Sequence, residues 1–187
     1  MIARRIRRGA LAAFLLQAAL LAWLVADRAI LLRTGTEIRL AVVPVDPRDL
    51  LRGDYVVLAT PLSRIRTDVL SGDDAFSIGE TVFVALERSG DAWRPIAVHR
   101  KRPADALVLQ GRISGPDGVA DCTDPCRAYR VEYGLERFFV PEGKGRELER
   151  LRNGEQLEVD VAVAGSGRAA LKRLIRDGRV LYEVDLL

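Results

Sequence analysis

The chain is poor in the residues that most often carry chemistry. Among 187 residues it has two cysteines, one histidine, one methionine and three lysines, and aromatics make up 6 % of it. Each scarcity excludes something. A zinc site needs about four N or S ligands, more than Cys122, Cys126 and His99 supply, so no metal site is expected. No G-x-S-x-G, H-E-x-x-H or phosphate-binding P-loop pattern occurs, and Gly165-x-Gly167 lacks the third glycine of a dinucleotide fingerprint. No catalytic set and no cofactor is therefore expected. The surplus of basic residues is also local. Residues 1–28 hold five Arg and one Asp, which leaves 24 basic and 25 acidic residues in 29–187 of the chain's 29 and 26. A near-neutral bulk without a recognition motif carries no nucleic-acid footprint.

The one long hydrophobic run is at the front. Arg4, Arg5, Arg7 and Arg8 precede eighteen residues, Gly9 to Ala26, interrupted only by Gln17. A membrane span needs about 17–25 such residues. Trp23 and Asp27-Arg28 fit its far interface, and Ala29 to Leu32 continue the helix. The arginine cluster belongs on the cytoplasmic side, which makes residues 1–8 a basic tail, 9–32 an anchor and 33–187 an exported domain. A cleaved signal peptide has the same charged front and apolar middle. Cleavage wants small residues at −3 and −1, but cutting after Ala26 puts Leu24 at −3 and cutting after Ala29 puts Asp27 there. The sequence favours an uncleaved signal-anchor, with Arg33 to Thr36 as a polar exit. A buried core helix is a third reading, disfavoured by the one-sided arginines.

With 49 % hydrophobic and 29 % charged residues, the rest has the make-up of a folded domain. Apolar residues alternate with period two at Ile38, Leu40 and Val42, at Tyr129, Val131 and Tyr133, and from Leu157 to Val163, while Thr81 to Leu86 and Leu107 to Ile113 are further strand segments. Ser89-Gly90-Asp91 and Asp177-Gly178 are hairpin signals, the first leading into a strand from Trp93 to His99. Leu62 to Ile65 has the make-up of a short strand, Arg66 to Gly79 of a loop, and Ala169 to Ile175 fits a strand or a helix. Pro141 to Asn153, with helix formers from Glu147 to Arg152 and a stop at Gly154, is expected to be the helix outside the anchor. Nine or ten short strands and one short helix predict a mainly β fold: an antiparallel sandwich or small barrel.

Between the first two strands lies the most structured stretch of local chemistry. Asp46 is suited to cap a helical turn, Pro47 to its first position and Asp49 to its third, with Gly53 as the stop. Tyr55 to Leu58 is β-branched and aromatic, so it reads as a strand, ending at or lying on an edge before Pro61. The bland reading, and the favoured one, makes Asp46, Asp49 and Asp54 caps and turn formers. Cys122 and Cys126 are close enough to form a local disulfide in an oxidising compartment. A redox centre fits less well, because three residues separate them and no βαβ pattern surrounds them. His99 ends a strand, where a solvated histidine is commoner than a general base.

An anchor followed by a Gly-Asp pair is reminiscent of membrane signal peptidases, which use a Ser nucleophile and a Lys base. In that family the serine stands eight residues before the glycine. Counting back from Gly53 gives Val45, and no serine lies between Gly9 and Gly53. The comparison fails on the nucleophile.

A second resemblance holds over most of residues 37–187. Gly53-Asp54-Tyr55-Val56-Val57-Leu58-Ala59-Thr60 resembles the G-D-Y-x-x-L-x-Y motif that names a family of membrane-anchored bacterial proteins. Val45 to Arg52 fits its flank, and Tyr133-Gly134-Leu135-Glu136-Arg137-Phe138-Phe139 through Gly145 is similar to its later block. The departure is Thr60, where the motif has tyrosine. A partner contact made by that tyrosine would be missing here, whereas a packing role loses little with threonine on a strand. The resemblance supplies no activity. It implies a bacterial source and work beside a multi-pass membrane protein; together with the anchor, this sets the expectation of a periplasmic domain tethered to the inner membrane. The expectation is a non-catalytic accessory or binding module with Arg52, Gly53, Asp54, Tyr55 and Leu58 as its contact surface. The alternative is an envelope hydrolase or transferase acting on glycan or lipid through carboxylates such as Asp49 and Asp54, whose surroundings would have to separate their pKa values.

Overall fold

In this computed structural model, residues 2–45, 55–90, 92–117, 128–139 and 157–184 are described. The chain opens with a single helix, α1 (Ile2–Thr34), followed only by strands and one 3-10 turn at Pro61–Ser63 among the described residues. The apolar side chains of α1 from Leu11 to Val25 are exposed, and burial begins only at Leu31 and Leu32. The domain leaves uncovered a helix that is long and apolar enough to cross a membrane.

Among the described residues twelve strands form two six-stranded sheets. The first runs in the order β12 (Arg179–Glu183), β11 (Ala169–Arg176), β10 (Leu157–Val163), β1 (Thr36–Val45), β2 (Tyr55–Ala59), β9 (Arg137–Phe139). The second runs β3 (Arg64–Arg66), β8 (Ala128–Glu132), β7 (Val108–Pro116), β5 (Thr81–Ser89), β6 (Ala92–His99), β4 (Ser71–Gly72). Every pairing is antiparallel except β4 with β6. Both sheets feed one core: Ile38, Leu40, Val159, Val161 and Leu174 from the first pack with Val82, Val84, Val98, Leu109 and Ile113 from the second. The strand-rich α+β architecture expected from the alternation is the one observed.

Four local expectations need correction or placement. Leu62 and Ser63 belong to the 3-10 turn, because Pro61 fills its first position without needing an N–H, and a strand starts only at Arg64. Ala169 to Ile175 resolves to strand, held by β10 on one side and β12 on the other. The count exceeds nine or ten because β3, β4 and β9 are only two or three residues long and are defined by their partners rather than by a sequence period. The helix expected between Pro141 and Asn153 lies outside the described residues.

The outer face of the first sheet carries charge and the end of α1. Asp160 stands opposite Arg39 on one neighbouring strand and Arg173 on the other. It is 1 % exposed. Arg39 donates to it from Nε at 2.8 Å and from a terminal nitrogen at 3.3 Å, and Arg173 Nε sits 3.2 Å away. A buried carboxylate flanked by two guanidiniums is the arrangement that makes such burial tolerable. On the same sheet, Ala162 and Ala170 face each other across β10 and β11 and pack with Leu31 and Leu32. Their small side chains let the helix end approach closely. Gly35 completes the contact: a Cβ there would lie 2.7 Å from Leu31 O and 3.0 Å from Val163 N. The polar exit expected at Arg33 to Thr36 is therefore a docked joint rather than a loose linker.

Candidate functional site

The two sequence blocks singled out by the motif are far apart in the chain and adjacent in space. β2 carries Tyr55 and Leu58 and pairs with β9, whose residues belong to the second block: Tyr55 opposes Phe139, Val56 opposes Phe138 and Val57 opposes Arg137. On its other side β2 pairs with β1, where Leu58 opposes Pro44. Among the described residues β9 ends the sheet order, so there the paired blocks form its margin.

A second link ties the blocks together inside the core. Tyr133 is buried, and its hydroxyl donates to Leu62 O at 2.9 Å, in the 3-10 turn that directly follows the first block. Space for the ring comes from Gly111, where a Cβ would sit 2.9 Å from two of its carbons and 2.4 Å from Val131 Cγ1. Burial, and then the nearby charge of Glu136, push the Tyr133 phenol well above its ordinary pKa. Glu136 turns back to accept from the Tyr133 backbone N–H at 2.6 Å, and Gly134 at φ 74° makes the intervening turn. Thr60 caps the 3-10 turn with extended backbone, and its hydroxyl lies 3.2 Å from that of Ser63. The threonine in the motif's last position thus has a local structural partner.

Of the other residues singled out, Asp46, Pro47, Asp49, Arg52, Gly53 and Asp54 lie outside the described residues, as do Cys122 and Cys126. His99 ends β6 half-buried, its ring against the backbone of Gly72. Its neighbour Arg100 organises the 73–80 loop, pairing with Asp73 at 3.1 Å and Glu80 at 2.8 Å and lying 5.1 Å from the centre of the Phe76 ring. That cluster reads as a loop clamp.

Sequence reasoning missed one feature, a cleft of about 390 Å³ where α1 meets the domain. One wall is the helix, with Asp27 and Arg28; another is the row Thr81, Arg112 and Glu132 on adjacent strands β5, β7 and β8. Gly111 and Tyr133 contribute to its lining, and Arg168 closes it, binding Asp27 through both nitrogens at 2.6 and 2.8 Å. That pairing holds the Arg168 guanidinium above its ordinary pKa. Among the described residues Arg28 makes a single long hydrogen bond, 3.5 Å to Ala169 O. The residues come from five elements, so no local spacing announces them.

The family model described as "GDYXXLXY protein" matches residues 17–174. The chain belongs to the GDYXXLXY family. No curated protein and no solved structure matches it. The match takes in both GDYXXLXY blocks, the second half of α1 with its docked end, and the strands through most of β11, so the helix joint and the two sheets lie largely within one family unit.

Proposed function

We propose that this GDYXXLXY protein is a non-catalytic accessory or binding module, tethered to the bacterial inner membrane with its N-terminus cytoplasmic and its β domain periplasmic. The observation that carries the proposal is the pairing of the two motif blocks as β2 and β9, on a domain docked to a lipid-suited helix. A sheet margin offers backbone donors and acceptors that a partner strand can pair with, and flanking side chains that can select it. The Arg52-Gly53-Asp54-Tyr55 segment runs into β2 in the chain, which supports it as the contact surface, with a multi-pass membrane protein as the partner class. The one-sided Arg4, Arg5, Arg7 and Arg8 cluster supports the orientation. In that compartment Cys122 and Cys126 form a local disulfide.

The test is a crosslinking pull-down of full-length protein from membranes, beside a variant carrying Asp54→Ala and Tyr55→Ala. Capture of one integral membrane protein by the wild type, lost in a folded, membrane-bound variant, is the expected result. Equal capture by both would remove the corner from the proposal.

A further inference from the structure

We propose that the cleft between α1 and the domain binds a phospholipid headgroup, its phosphate held by Arg28 and Arg112 and the ammonium of a zwitterionic headgroup met by Glu132. The inference rests on α1 crossing a membrane and goes beyond the partner-binding role.

Depth is the first argument. The apolar run of α1 stops at Ala26, so Asp27 and Arg28 stand where hydrocarbon gives way to headgroups. The cleft opens beside those two residues. The anchor itself therefore carries one wall of the cleft at headgroup depth.

Charge is the second. Five charged side chains line the cleft, and two of them, Asp27 and Arg168, neutralise each other in a two-pronged pair. Among the described residues Arg112 and Glu132 have neither an ion pair nor a hydrogen bond through their side chains, although they oppose each other across β7 and β8. Arg28 has only its long contact to a carbonyl. Two guanidiniums and one carboxylate are thus left to meet a ligand. A guanidinium fork matches phosphate oxygens in pairs. A carboxylate beside it suits an ammonium, and repels a headgroup that carries only negative charge. This pattern selects a zwitterionic aminophospholipid over an acidic one.

Size and rigidity are the third. About 390 Å³ falls within the range of small-ligand sites, roughly 300–1,000 Å³. The site is also preformed. Gln110 N–H donates to Gly167 O at 2.8 Å, tying β7 to the turn that carries Arg168, while Leu31 is seated on Ala162 and Ala170. Little ordering is left to oppose binding.

The experiment uses the full-length protein in a mild detergent micelle, with native mass spectrometry as the readout. Phosphatidylethanolamine, phosphatidylglycerol and inorganic phosphate are titrated separately. One retained phosphatidylethanolamine per chain is expected, held more tightly than phosphatidylglycerol. Arg112→Gln should weaken retention about tenfold, the loss of one charge-assisted contact. Arg28→Gln should do the same from the helix side. Glu132→Gln should abolish the preference between the two lipids while leaving phosphatidylglycerol bound. Retention unchanged in both arginine variants overturns the proposal. Equal displacement by millimolar inorganic phosphate would make this a free-anion site and overturn the lipid assignment. Membrane fractionation of each variant is run in parallel. A chain that leaves the membrane would refute the anchor, whereas a chain that stays there but retains no lipid would refute only the cleft.

Discussion

The Tyr133 hydroxyl reaches the Leu62 carbonyl across 71 residues of sequence, and that bond shows how single side chains hold the two motif blocks together. Tyr133→Phe keeps the ring and leaves the buried carbonyl without its donor. A loss of about 1–3 kcal/mol is expected, read from denaturant unfolding. The same phenol predicts a pH response. An unfolded tyrosine ionises near pH 10, while burial and Glu136 keep the folded one neutral to higher pH. Its contribution is complete below about pH 10 and falls as pH rises past that value, because only the unfolded chain releases the proton. Alkaline unfolding should therefore be shallower in Tyr133→Phe than in the wild type, and equal slopes would contradict the burial of a neutral phenol. At this scale the sequence was half legible. Alternation placed Tyr129, Val131 and Tyr133 on one face, yet the strand ends at Glu132, and the ring is accommodated by Gly111 on a neighbouring strand. A glycine's role as a gap for a distant ring leaves no local mark.

Among the elements, the hairpins and the alternating strands were readable because their signals are local: a turn with Gly90 or Gly178, and apolar residues every second position. β3, β4 and β9 were not, since two or three residues cannot show a period. The partnership of β1 with β10, more than a hundred residues apart, is fixed by shared burial and by the Arg39–Asp160–Arg173 row. The joint of α1 was the least legible of all. Arg33 to Thr36 has the polar make-up of a linker, but the helix runs through Thr34 and Gly35 lies tight against Val163 N and Ala162 Cβ. Gly35→Ala forces a methyl into backbone, and overpacking of this kind costs about 1–3 kcal/mol. The expected outcome is faster amide exchange at Leu31 to Gly35 with the chain still in the membrane fraction. Exchange unchanged from the wild type would mean the helix end does not need this contact.

At the scale of the whole molecule, the protein is a strand-rich domain of two sheets around one core, held at a close joint on a helix that lipid would cover. A close joint restricts which faces of the domain can meet another membrane protein, something a flexible tether would not do. The paired blocks then sit at one defined sheet margin. The most direct test places a photocrosslinking residue at Tyr55, at the start of β2, in the full-length protein in membranes, with one at the half-exposed Ile96 of β6 as the comparison. A covalent adduct with one integral membrane protein from position 55, absent from position 96, is the predicted result. Identical adducts from both positions, or none from position 55 in a folded and membrane-bound chain, would contradict the account.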